Sequence, residues 1–193
     1  MAAIVSLVIV AFQCATLVCT AVAVRRRDVA AAINAGGAFV LAALPVLADA
    51  ALGGVAVGPV LPAWLAGAGL LHSLGMLGLY ESTSWWDHLT HTVSAALVAA
   101  LLYAGIPVWL PGAGDAARAS VAVAAATVAW TFVVGVCWEL VEVAAREVGA
   151  RYDVEPVLVY YGRRDTAIDL AFDVVGALLI VLGDVRVFVP LVA

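Results

Sequence analysis

Apolar residues fill long runs of this chain, and polar ones gather in the short breaks between them. A helix crosses a bilayer core with about 20 apolar residues. The runs at roughly 3–24, 29–52, 61–80, 88–106, 118–145 and 166–183 therefore predict six transmembrane helices. The expected fold class is all-α: a polytopic integral membrane bundle forming a single transmembrane domain over residues 1–193. Each break has a physical cause. Arg25, Arg26, Arg27 and Asp28 do not stay in lipid. Gly53-Gly54 and Gly58-Pro59 close the second run, and Pro107 and Pro111-Gly112-Ala113-Gly114 close the fourth. Ser82-Thr83-Ser84 can cap the fourth helix, with Asp87 in its first turn. The stretch 149–164 is the longest connection, and Glu155-Pro156 interrupts any helix there. Gly36, Gly37, Gly67, Gly69, Gly75, Gly78 and Gly176 are small enough to let helices approach closely.

Composition agrees with this reading. The 193 residues are 66% hydrophobic, with a mean hydropathy of +1.13, far from soluble averages. The net charge of −5 excludes the basic footprint of a nucleic-acid binder. Cys14, Cys19 and Cys137 lie in oily runs without CxxC spacing and read as packing residues. The N-terminus has no basic n-region, so the first span is expected to stay in the mature protein. Seven arginines (Arg25, Arg26, Arg27, Arg146, Arg151, Arg163, Arg164) fall on one face of the alternating topology, and Arg118 and Arg186 fall opposite. The positive-inside rule makes the first face cytoplasmic, with both termini outside an inner (cell) membrane. Trp85, Trp86 and Trp109 sit at span ends, where interfacial aromatics belong, and residues 184–193 are expected along the outer interface.

Three polar clusters interrupt the oil at matching depth. Asp87, His88 and His91 open the fourth span, and Asp87 and His91 share a helix face at i, i+4. Glu139 and Glu142 end the fifth at i, i+3. Asp165, Asp169 and Asp173 open the sixth within an arc of roughly 80°. A buried carboxylate at the bilayer centre costs roughly 2.5–3.5 kcal/mol, so something must offset several of them. Carboxylates and imidazoles on facing helices are the donors of a metal site in a bundle. The eight groups Asp87, His88, His91, Glu139, Glu142, Asp165, Asp169 and Asp173 are the expected ligand pool for a divalent ion: Zn, Mn or Fe with mixed donors, Mg with carboxylates. Glu139 or Glu142 would act as general base, and Arg146, Arg163 and Arg164 would hold an anionic lipid or phosphoester substrate.

Plainer readings stand beside these. Asp165 can cap the sixth helix and pair with Arg164, Glu142 can pair with Arg146, and His88 can be a packing residue. His72, in mid-span three, can pack, hydrogen-bond or serve a proton path. Three functions remain open: a metal-dependent hydrolase or transferase on a membrane lipid or phosphoester, a cation or proton transporter, and a structural subunit whose polar knot fixes packing. The nearly apolar outer halves of spans four to six favour the first over the second.

The chain also resembles the uncharacterised YjdF-like inner-membrane protein family over roughly residues 85–180. Asp87 and His91 fit its aspartate and histidine at a span start. Glu139-Leu140-Val141-Glu142 fit its E-L-x-E motif. Asp165-Thr166-Ala167-Ile168-Asp169-Leu170, with Gly176, fit its last element. The resemblance implies a shared polar site without naming its chemistry. A fainter likeness joins the start of span four to VanZ-like membrane proteins. Asp87-His88-Leu89-Thr90-His91 is also similar to, and one residue shorter than, the D-H-x-x-T-H of membrane-bound metal-dependent hydrolases.

Overall fold

The computed structural model describes residues 2–52, 58–109, 121–154, 156–158 and 161–188. Gly53-Gly54, Pro111 to Gly114, Arg118, Glu155 and residues 189–193 lie outside the described residues. Every regular element among the described residues is helical: α1 (Ala2–Arg26), α2 (Val29–Leu52), α3 (Val60–Leu74), α4 (Trp86–Trp109), α5 (Val121–Tyr152) and α6 (Arg163–Leu182). A π turn (Gly75–Leu79) and one further helical turn (Tyr80–Ser82) follow α3. Among the described residues, five stretches are long and apolar enough to cross a membrane: Ala3–Arg26, Val29–Ala51, Val60–Ser82, Trp86–Val108 and Val121–Tyr152.

The helix ends follow from local chemistry. Arg27 turns into the left-handed region (φ 59°). Its N–H reaches Val24 O, and the Asp28 N–H reaches back to Ala23 O at 3.0 Å. That is a Schellman stop, closing the orphan carbonyls of α1. Asp28 then caps α2, its Oδ1 accepting the Ala31 N–H at 2.8 Å. Asp153 (φ 53°) and Asp184 (φ 48°) stop α5 and α6 in the same way, with Val154 N–H on Gly149 O and Val185 N–H on Ile180 O.

The packing divides the chain into two compact units, residues 1–87 with 142–160 and residues 88–141 with 161–193. In the first, α1, α2 and α3 pack on one another. Gly69 lies against Ala38, whose Cβ is 2.9 Å from where a Gly69 Cβ would stand, and Gly67 lies against Phe12. In the second, Gly176 of α6 presses on the backbone of α4, where an added Cβ would come within 2.9 Å of Ala96 N. These are the close approaches that small residues permit.

Several boundaries differ from expectation. Pro107 does not end α4, which runs on to Trp109. A proline this close to a C-terminus removes only one bond of the last turn. α5 continues past 145 to Tyr152, because Ala144, Ala145, Arg146, Glu147 and Val148 include strong helix formers, and charge ends a membrane span without ending a helix. The third helix is not continuous: the chain widens at Gly75–Leu79, with Gly78 at φ 123°. Asp165 does not cap α6. Gly162 holds that position without a side-chain cap, and Asp165 lies in the first turn, where the helix dipole favours its charge. Gly36 and Gly37 meet nothing within 4 Å of an added Cβ and so are not close-approach positions. Of the cysteines only Cys19 is buried; Cys14 and Cys137 face outward.

Candidate metal centre

The second unit gathers acidic side chains on α5 and α6. Asp169 and Asp173 project from the first half of α6, and Glu139 from α5, with relative exposures of 2%, 4% and 5%. Groups this enclosed lose water and must be compensated by the protein or by something bound. Asp87 and His91, one helical turn apart on α4, complete the group. The unit boundary falls between Asp87 and His88, but helix α4 is continuous across it. One donor atom each from Asp87, His91 and Asp169 lies within 4.8 Å of the others.

Asp173 occupies a different place. Its Oδ1 lies 3.1 Å from His91 Nδ1, which turns the second ring nitrogen of His91 away from that bond. A carboxylate on one imidazole nitrogen, fixing the ring for a ligand on the other, is the usual support of a metal-bound histidine. The room for Asp173 comes from Gly135 on α5, where any Cβ would overlap Asp173 Oδ2 and crowd Leu170.

Glu139 has the Thr166 side chain, His91, Asp173 and Asp165 as its polar neighbours. Its Oε1 is buried with no hydrogen-bond partner among the described residues. An acceptor left open at such burial calls for an explanation, such as a ligand or an ion.

The other expected site residues are placed as follows. His88 stacks flat on Phe172, with centroids 4.3 Å apart at 7°, beside the donor triplet and outside it. Arg163 and Arg164 are exposed in the first turn of α6. Glu142 and Arg146 belong to the first unit, where Arg146 pairs with Glu147 at 2.8 Å. Gly135 was missed by sequence reasoning. It is 38 positions from Asp173, and a lone glycine in an oily run gives no signal of a carboxylate packed against it.

Across the far half of the unit, Tyr103 of α4 donates its hydroxyl to Asp184 Oδ1 at 2.9 Å, and Arg186 Nε donates to the same oxygen at 2.7 Å. Arg186, then Tyr103, hold the Asp184 carboxyl below its ordinary range. The same pairing raises the Arg186 guanidinium.

No curated protein and no solved structure matches the chain, and nothing among the comparisons supports the likeness to VanZ-like proteins. A family match covers residues 5–188, nearly every helix described above, and by it the chain belongs to the family described as Predicted membrane protein (DUF2238).

Proposed function

We propose that this membrane protein is a metal-dependent hydrolase or transferase acting on a lipid or phosphoester, with a divalent cation held by Asp87, His91 and Asp169. The observation that carries this reading is the meeting of those three donors within 4.8 Å, beside a Glu139 oxygen with no hydrogen-bond partner among the described residues. A mixed nitrogen and oxygen set suits Zn, Mn or Fe. A cation held there would offset the buried carboxylates and would supply Lewis-acid polarisation and water activation. Glu139 is the proton acceptor for that water, and Asp173 keeps the His91 ring in register. Arg163 and Arg164, at the mouth of α6, hold the anionic part of the substrate.

In the same reading α6 is the sixth crossing, its aspartates tolerated because the ion and neighbouring helices shield them. The arginine-rich face is cytoplasmic and both termini lie outside an inner membrane. The motifs at Asp87–His91, Glu139–Glu142 and Asp165–Leu170 support a likeness to the YjdF-like proteins.

Elemental analysis of detergent-purified protein tests this. About one divalent ion per chain is expected, and loss of it in a His91→Ala, Asp169→Ala double variant that still purifies as a monodisperse species. Wild-type protein that holds no ion after incubation with Zn, Mn, Fe or Mg salts would sink the proposal.

A further inference from the structure

The first unit holds a second polar centre that the metal reading does not use. Asn34 of α2 donates its amide nitrogen to Ala30 O at 2.9 Å and to Val157 O. Those two carbonyls fix which way the amide faces, since only an NH2 can satisfy them. The Asn34 Oδ1 therefore points at His72 Nε2, 3.1 Å away, and an oxygen there requires a proton on Nε2. In the neutral ring the other nitrogen is then an acceptor, and Tyr80 Oη lies 2.6 Å from His72 Nδ1. So Tyr80 donates its hydroxyl proton to a histidine whose tautomer is set from behind by Asn34.

The backbone is shaped for this contact. Residues 72 and 80 are eight apart, about 12 Å of rise in a straight helix. The π turn, with the Tyr80 N–H on Gly75 O, folds the phenol back over Gly75, where any side chain would overlap the Tyr80 ring. Wide turns of this kind recur at functional sites. Tyr80 is followed at once by exposed Glu81 and Ser82, so the phenol stands at a helix end.

We propose that Asn34, His72 and Tyr80 form a second reactive centre, independent of the metal site, in which the Tyr80 hydroxyl is a base-coupled nucleophile for an acyl- or phosphoryl-type electrophile. A nucleophile on a base, and that base on an orienting group, is the general logic of an activated hydroxyl. As the Tyr80 oxygen attacks, its proton passes to His72 Nδ1. The leaving group departs with the bonding electron pair. The resulting imidazolium keeps its Nε2–H on Asn34 Oδ1.

An arylsulfonyl fluoride tests this directly on the intact protein in detergent. Tyr80 attacks sulfur, fluoride leaves, His72 takes the proton, and a sulfonate ester remains on Tyr80 for mass spectrometry to locate. Tyr80 is expected to react faster than the more exposed Tyr152 and Tyr161. His72→Gln is expected to slow Tyr80 by roughly 100-fold or more while leaving those two tyrosines unchanged. Tyr80 reacting no faster than Tyr152 and Tyr161, or equally fast in His72→Gln, overturns the proposal. Should His72→Gln fail to fold, the wild-type ¹⁵N spectrum decides. A His72 ring protonated on Nε2 and hydrogen-bonded at Nδ1, with that bond lost in Tyr80→Phe, supports the centre, and an Nδ1–H tautomer refutes it.

Discussion

The two units each enclose a histidine, and they surround it with opposite chemistry. His72 sits between an amide and a phenol, both neutral, each held by a hydrogen bond of defined direction. His91 sits among carboxylates. A neutral hydrogen-bonded pair carries no buried charge at rest, and an imidazolium forms only as the proton is transferred. A carboxylate cluster instead demands a positive partner, because like charges at short range repel strongly away from water. Under the two proposals the same imidazole would serve as a base in one unit and as a cation ligand in the other, and its neighbours would decide which.

The largest effect should come from removing the anionic character of the carboxylate cluster around His91. Asp87→Asn with Asp169→Asn is expected to abolish stoichiometric metal, read by plasma mass spectrometry, while the Tyr80 reactivity of the first unit is untouched. If both properties fall together, the two centres are not separate. Asp173→Asn is a sharper cut, because it spares the donor triplet. A loss of about 10–100-fold in metal affinity is expected, measured by competition with a chromophoric chelator. Unchanged affinity would remove Asp173 from the supporting role. Gly135→Ala should act on the same carboxylate through crowding and cost about 1–3 kcal/mol of stability, read as a lowered melting temperature that added metal only partly restores. Gly78→Ala probes the first unit. At φ 123° an alanine is strained, costing about 1–3 kcal/mol, and Tyr80 should lose its preferential labelling.

The smallest effect concerns Asp184, which is exposed. Its folded pKa is held below 3.8 by Arg186 and Tyr103. The carboxylate therefore adds stability above the unfolded value and loses it as pH falls through the lowered folded value. The melting temperature of wild type relative to Asp184→Asn should exceed zero at neutral pH and shrink toward zero in acid. A gap that widened in acid would mean that the Arg186 contact is not the cause.

Much of this was legible from the chain alone, for identifiable reasons. Long oily runs mark helices well, and α2 began and ended where hydrophobicity said it should. Asp87, His91, Glu139, Asp169 and Asp173 stood out because ionisable groups in lipid-length segments need compensation. The π turn at Gly75–Leu79 was invisible, since Gly-Met-Leu-Gly-Leu is as oily in a wide turn as in an α-helix. Asn34 and Tyr80 carried no periodicity or charge to flag them, and their link to His72 spans 38 and eight positions. Distinguishing ligand from orienter was equally beyond the pattern. Asp169 and Asp173 are one turn apart on the same face, and only the contact of Asp173 with His91 separates the roles proposed for them.

The length of α5 carries its own consequence. Its 32 residues make a rod of about 48 Å, while the hydrocarbon layer is about 30 Å thick. One uninterrupted helix must then begin in oil and finish in water, with Arg146, Glu147 and Arg151 on its wetted turns. Deuterium should enter the amides near Glu147 far sooner than those near Val133, drawing the membrane boundary along a single element.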